Sequence, residues 1–175
     1  MLELWNMNEI IISWEGPYSH TEVIDHRCRD DAERQDYGLY QIYGPHLIYT
    51  NKVGRADESV LLYIGLAIQC TFSGRISSHG FCHNKNHRIY LGYFESTSYK
   101  HDIAKWKSDV SDAERLLINM YAPSYNSQWC GDLRKNQLNN PDTFILNQGT
   151  REDLAEKIRA DEVYISEARL TRRCS

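Results

Sequence analysis

Several stretches in the first hundred residues are rich in β-branched and aromatic residues, and some of them alternate apolar with polar or small side chains. Such stretches, when bounded by Gly, Pro, Asn or Ser, favour β-strands. The predicted strands cover residues 8–14 (NEIIISW), 38–44 (GLYQIYG), 59–67 (SVLLYIGLA) and 87–96 (HRIYLGYFES). A turn signal at Gly44-Pro45 separates the second strand from residues 46–50 (HLIYT), which are predicted as its hairpin partner or its extension.

One segment follows a helical period instead. Between residues 111 and 121 the apolar positions recur at helical spacing and mark one face, formed by Ala113, Leu116, Leu117, Met120 and Tyr121. Weaker patterns predict helices at 69–79, 99–107 and 151–160, a loop or short helix at 25–36, and a last strand at 162–168. This order of elements predicts an α/β or α+β domain in which helices flank a small mixed or antiparallel central sheet.

Composition limits the class of protein. At 175 residues, with 41% hydrophobic and 25% charged residues, the chain has the size and make-up of one soluble globular domain. It has no apolar run near the roughly 18 residues of a membrane span, and its first residues lack the basic stretch of a secretory signal. Its five cysteines are an odd number without a C-x-x-C pair, which favours reduced thiols in the cytoplasm over a disulfide framework.

Charge is unevenly distributed along the chain. Residues 1–36 hold nine acidic and three basic residues, although the whole chain has a net charge of only −4. Residues 75–107 hold six basic and two acidic residues together with four histidines. A locally basic surface of this kind suits a phosphate backbone, but a solvated surface without a partner explains it as well. The acidity of residues 1–36 predicts a role in packing or dimerisation.

Four short motifs lie in order between residues 38 and 126. They are GLY (38–40), YIG (63–65), GRISSH (74–79) and AERLLINMYAPSYN (113–126). In this order they resemble the GIY-YIG nuclease family, and most of all its restriction-enzyme branch, in which an Arg is followed four residues later by a His. The resemblance covers about half of the chain. It implies a GIY-YIG-like catalytic core at 38–126 within a single domain (1–175), with an N-terminal extension (1–37) and a C-terminal extension (127–175).

The implied activity is hydrolysis of DNA phosphodiester bonds by a divalent-metal-dependent endonuclease. That reaction needs a base for the attacking water, charge stabilisation at phosphorus and assistance to the leaving oxygen. The resemblance gives the role of base to Tyr40, with Tyr63 beside it to orient water or phosphate. A phenol has an unperturbed pKa near 10, so ionising it at pH 7 costs roughly 4 kcal/mol, part of which nearby cations or a hydrogen-bond acceptor must offset. Either tyrosine alone would be interpreted as a half-buried strand residue.

Two further motif residues would supply that assistance. Arg75 and His79 are four residues apart and would project from one helix face. The Arg would hold a phosphate oxygen while the imidazole accepts a proton or a hydrogen bond from the tyrosine. A solvated basic helix face is the alternative for this pair. Arg88 is a weaker candidate for the role of Arg75, because it falls in a strand pattern.

Glu114 allows two interpretations. Ser111-x-x-Glu114 has the spacing of a capping box, in which both side chains bond to the backbone at a helix start. The resemblance instead makes Glu114 the ligand of Mg²⁺ or Mn²⁺, and magnesium often takes only one or two protein carboxylates. One carboxylate cannot do both, and the other motifs favour the metal. Asn126, after the helix-stopping Pro123, would tie the loop to the active site, with an ordinary turn Asn as the alternative.

Other sites and functions stay open. Cys82, His83 and His87 could bind zinc, although the paired spacing of structural zinc modules is missing. The first functional hypothesis is a restriction-type enzyme that cuts double-stranded DNA, as a homodimer if its recognition sequence is palindromic. The alternatives are a structure-specific or low-specificity nuclease in repair, mobile-element transfer or defence, and a nucleic-acid-binding module without catalysis. No separate DNA-reading domain is recognisable, so loops at 44–58, 80–90 and 127–150 would read the bases.

Overall fold

The computed structural model describes residues 7–27, 37–45, 59–80, 85–96, 99, 101–130 and 137–163. Within these ranges the strands are β1 (Asn8–Tyr18), β2 (Gly38–Pro45), β3 (Ser59–Ala67), β4 (Arg88–Phe94), β5 (Thr143–Gly149) and β6 (Lys157–Arg159). The helices are α1 (His20–Arg27), α2 (Phe72–Ser77) and α3 (Ile103–Tyr121), and a further helical turn begins at Ala160. The predictions for residues 46–50, 164–168, Cys82 and His83 lie outside the described residues. The predicted strand at 162–168 is wrong at residues 162–163, which belong to the helical turn.

A single mixed sheet organises the fold, in agreement with the predicted class. The strand order is β3-β2-β4-β1-β5-β6, and all neighbours are antiparallel except β1 and β5. Strands β2, β3 and β4 lie between residues 38 and 126 and form one half of this sheet. The other half consists of β1, β5 and β6, so the segments on either side of the motifs continue the same sheet. At the opposite end from β6, β3 is an edge strand.

Each face of the sheet is covered by helices and has its own buried core. On one face, Leu116 and Leu117 of α3 pack with Trp14 of β1. On the other face, Val23 of α1 and Phe72 of α2 belong to a second core. Because both faces are covered, β2 is buried along almost its whole length. Its two rows of side chains therefore face α3 on one side and α1 and α2 on the other.

α3 is one continuous helix of 19 residues, where the sequence predicts two shorter ones at 99–107 and 111–121. It begins after the N-cap Asp102, whose side chain accepts the Lys105 backbone N–H at 2.8 Å. Residues 108–110 join the two predicted segments without a Gly or Pro to break the helix. α3 ends as predicted before Pro123. Among the described residues, no helix combines the length and the apolar character that a membrane span requires.

The predicted helix at 151–160 is wrong. Residues Lys157–Arg159 form β6, which pairs antiparallel with β5. The Asn147 backbone N–H donates to the Glu156 carbonyl at 2.7 Å and so holds the preceding turn against β5. Ile158 is only 1% exposed. Burial of this side chain and pairing with the sheet outweigh the helical propensity of the local sequence.

Candidate active site

Two tyrosines meet on the face of the sheet that α2 covers. In the register of β2 and β3, Tyr40 lies opposite Gly65, and Ile42 lies opposite Tyr63. The two tyrosines are therefore diagonal neighbours, and their ring centroids are 5.9 Å apart. Gly65 makes this approach possible, because a Cβ atom there would lie 2.5 Å from the Tyr40 hydroxyl and 2.6 Å from Cε1 of Tyr63.

Replacing Gly65 by alanine is expected to force the two tyrosine rings apart. Overpacking of this kind typically costs about 1–3 kcal/mol, and we expect the free energy of unfolding in urea to fall by that amount. Gly74→Ala in α2 is the matched control. Among the described residues, its Cβ would meet only the Thr71 Oγ1 at 3.5 Å and the Cβ of Cys70 at 3.6 Å, and Ala favours a helix over Gly. Equal effects of the two substitutions would contradict the packing role assigned to Gly65.

His79 reaches the Tyr40 hydroxyl from the turn that follows α2. The hydrogen bond between Tyr40 Oη and His79 Nε2 is 2.8 Å long. The spacing between Arg75 and His79 predicts both on one helix, but α2 ends at Ser77, so His79 lies in the turn that follows. The His79 N–H donates to the Ile76 carbonyl at 3.1 Å and continues the turn. Burial, and then Arg75, lower the pKa of His79 from its ordinary value. The imidazole is therefore neutral at pH 7 and can accept the phenolic proton.

Arg75 brings positive charge to both tyrosines. Its guanidinium interacts electrostatically with Tyr40 and Tyr63 and lies within hydrogen-bonding reach of each. Burial raises the pKa of Tyr63, and Arg75 opposes that shift. The Nε atom of Arg75 is buried and has no hydrogen-bond partner among the described residues. Because a buried donor without a partner is costly, an anionic oxygen bound beside the tyrosines would satisfy it.

Arg88, the weaker candidate for the same role, lies on the opposite face of the sheet. It is paired in the β2–β4 register with Tyr43, which belongs to the core on the α3 side. Its guanidinium forms a salt bridge with Glu152 at 2.7 Å. The structure therefore brings Arg75, and not Arg88, to the tyrosine pair.

Glu114 lies within α3, so the capping-box interpretation is wrong. The helix begins about three turns earlier, and Ser111 donates its hydroxyl to the Lys107 carbonyl at 2.9 Å. The Glu114 carboxylate accepts the backbone N–H of Leu66 on the edge strand β3 and interacts with Arg75. Burial raises the pKa of Glu114 to about 7, although nearby arginines oppose the shift. α3 thus carries a carboxylate to the edge of the sheet, next to the tyrosines.

The Glu114 carboxylate suits a single hard cation. Burial disfavours its charged form, and a bound divalent cation would compensate for that loss. Asp112 does not share the site, because its buried carboxylate accepts the backbone N–H groups of Asn139 and Asn140, both at 2.8 Å. No three His, Cys, Asp or Glu side chains of the described segments cluster as metal ligands would. A lone carboxylate fits Mg²⁺, which keeps most of its waters.

Asn126 closes the outer edge of β3 beside Glu114. Its Oδ1 accepts the Ile64 N–H at 3.0 Å, and its Nδ2 donates to the Ile64 carbonyl at 2.8 Å. One residue earlier, the Tyr125 N–H donates to the Leu62 carbonyl at 2.8 Å. Together with the contact that Glu114 makes, these bonds hold α3 and its following loop along the edge strand. Asn126 therefore ties the loop after α3 to the edge strand.

Two parts of the site leave no readable signal in the sequence. The donor to Glu114 is the backbone of Leu66, and a residue's identity does not reveal where its amide points. Arg115 binds the Gln137 carbonyl through Nη1 and lies 4.7 Å from the Trp129 ring centroid, contacts between segments that are distant in sequence. Only the fold brings these groups together.

No family model matches the chain, and comparison with curated proteins and with solved structures also gave no match.

Proposed function

We propose that this chain is a GIY-YIG-type endonuclease that hydrolyses phosphodiester bonds of double-stranded DNA with a divalent metal ion, cutting both strands at a specific sequence. One observation carries the proposal: the Tyr40 hydroxyl is hydrogen-bonded at 2.8 Å to His79, beside the guanidinium of Arg75. A buried tyrosine needs one hydrogen-bond partner for its hydroxyl, but packing alone does not call for a guanidinium beside that partner as well. The Glu114 carboxylate on the adjoining edge adds a ligand for the metal.

Tyr40 is the proposed general base. A phenol of ordinary pKa is almost fully protonated at pH 7, and ionising it there costs roughly 4 kcal/mol. The neutral imidazole of His79 accepts the phenolic proton as the tyrosine takes a proton from water, and Arg75 favours the charge that develops on the phenolic oxygen. Tyr63, whose ring centroid is 5.9 Å from that of Tyr40, orients the water or a phosphate oxygen.

Arg75 and Glu114 would stabilise the negative charge that develops around phosphorus in the transition state. The buried Nε of Arg75 offers a donor to a non-bridging phosphate oxygen. Glu114 would hold Mg²⁺ or Mn²⁺, which supplies electrostatic stabilisation of the transition state and of the leaving oxygen. The Leu66 N–H fixes the carboxylate from the protein side. Asn126 keeps the loop after α3 against the same strand.

The local charge and the exposed thiols support the proposed substrate and compartment. Residues 75–107 hold six basic and two acidic residues, and this local charge supports a phosphate-backbone substrate. Arg75 lies at the site, whereas Arg88 is paired with Glu152 on the opposite face and Lys105 with Asp109. A palindromic recognition sequence would require a two-fold homodimer. Cys70 and Cys130 are exposed and free, which fits the reducing cytoplasm.

Cleavage of supercoiled plasmid and phage DNA by the pure protein tests the proposal. We expect discrete fragments with Mg²⁺ or Mn²⁺ and intact DNA with an excess of chelator, and sequencing of the fragment ends identifies the site. A smear, or nicking alone, would contradict sequence-specific double-strand cleavage and favour a low-specificity nuclease. Intact DNA with both metals would contradict the nuclease function itself.

A further inference from the structure

The loop that follows α3 presents two polar side chains at the margin of the candidate active site. Ser127 and Gln128 are both exposed. Among the described residues, neither side chain makes a hydrogen bond or ion pair with another part of the chain. Their donors and acceptors are therefore available to a ligand.

This loop is anchored on both sides of Ser127 and Gln128. Before them, Asn126 is bound twice to the Ile64 backbone at 3.0 and 2.8 Å. After them, the Trp129 carbonyl accepts Nδ2 of Asn119 at 3.4 Å, and the Trp129 ring lies 4.7 Å from the Arg115 guanidinium. Only two residues separate the anchors, so the backbone that carries the exposed side chains is held in place before any ligand binds. Preorganisation of this kind lowers the entropic cost of specific recognition.

The spacing along β3 limits the distance between these side chains and Glu114, the proposed metal ligand. Glu114 binds the Leu66 amide and Asn126 binds the Ile64 amide. Two residues of a strand span about 7 Å, and Gln128 lies at most about 8 Å beyond Asn126. DNA rises about 3.4 Å for each base along one strand. For a duplex that runs along β3, these two distances together correspond to about four base steps between Gln128 and the carboxylate that would hold the metal.

We propose that Ser127 and Gln128 read base edges close to the cleaved bond and so help to determine the recognition sequence, an inference that rests on the proposed nuclease function. A Gln side chain can pair with N6 and N7 of adenine, and a Ser hydroxyl can bond to several bases. Both side chains are neutral, so they add little to the charge-driven affinity for the phosphate backbone. Their effect is on the choice of the sequence that is cut.

Cleavage of a DNA library with randomised sites, followed by sequencing of the ends, tests this inference. We expect Gln128→Ala to reduce discrimination between bases about 5- to 150-fold at one position within about four base steps of the cut. Gln128→Glu is expected to shift the preference at that position towards cytosine, because the carboxylate would accept a hydrogen bond from the N4 amine of that base. Ser127→Ala should relax a neighbouring position.

Gln148→Ala is the matched control. Gln148 is an exposed glutamine on β5, four strands from β3 in the sheet order, which is about 19 Å at the usual strand spacing. It should leave the cleavage profile unchanged. An unchanged profile for all three loop variants, or a uniform fall in rate at every sequence, would overturn the base-reading role while leaving the nuclease proposal intact. Absence of cutting by the wild-type protein would overturn the nuclease proposal and this role with it.

Discussion

Tyr40→Phe is expected to lower kcat for DNA cleavage by about 10²–10⁴-fold, the usual contribution of a general base, and to leave the dissociation constant for DNA unchanged. The substitution removes only the hydroxyl that is hydrogen-bonded to His79 at 2.8 Å. The ring, which is 0% exposed, keeps its packing, so the protein should remain folded. Single-turnover cleavage of a one-site plasmid measures the chemical step, and fluorescence anisotropy with a labelled duplex measures binding.

Tyr43→Phe is the matched control for that measurement. Tyr43 lies on the same strand but belongs to the core on the α3 side, and it is 1% exposed. Its hydroxyl is away from the proposed site, so the variant should cut at the wild-type rate. If Tyr40→Phe also cut at that rate, the role of base would pass to Tyr63, which lies on the same face as Tyr40.

Local patterns in the sequence predict four of the six described strands, whereas the meeting of the two tyrosines is implied by the resemblance that their motifs carry. β2 and β3 show their apolar character directly, and a glycine at position 65 is the readable sign of a close approach. The resemblance also implies His79 as a partner of the tyrosine, and the short spacing between Arg75 and His79 keeps both residues in α2 and the turn that follows it. Features that depend on neighbouring residues, such as strand patterns and short motif spacings, can thus be predicted from the sequence.

Contacts between segments that are distant along the chain cannot be predicted from the sequence in the same way. The central position of β1 depends on its pairing with β4 and β5, a choice that a strand pattern alone does not reveal. Ser111-x-x-Glu114 matches a capping box, but the cap that starts α3 is Asp102, since the preceding turns also form a helix. The same long-range packing turns Lys157–Arg159 into a strand.

Glu114→Gln is expected to abolish metal-dependent cleavage. The amide has nearly the same shape and can still accept the Leu66 N–H, but it does not carry the charge that holds a divalent cation. Charge stabilisation by such a metal contributes several kcal/mol, so we expect kcat to fall by about 10³-fold or more. Glu95→Gln, at an exposed position next to β4, is the control and should cut normally. Cleavage by Glu114→Gln at the wild-type rate would mean that the metal is held elsewhere.

Glu114→Gln lowers activity, but in the absence of metal it is expected to stabilise the protein at pH 8. Burial raises the pKa of Glu114 to about 7, above its unfolded value, so the folded state holds the proton to higher pH. The wild-type protein should therefore lose stability between about pH 4.5 and 8, by roughly 3 kcal/mol, and Glu114→Gln should not. At pH 8 in chelator the variant is expected to be the more stable protein in urea unfolding. Added Mg²⁺ should stabilise only the wild type, because a ligand stabilises the state that binds it. Equal responses of the two proteins to pH and to Mg²⁺ would remove Glu114 from the metal site.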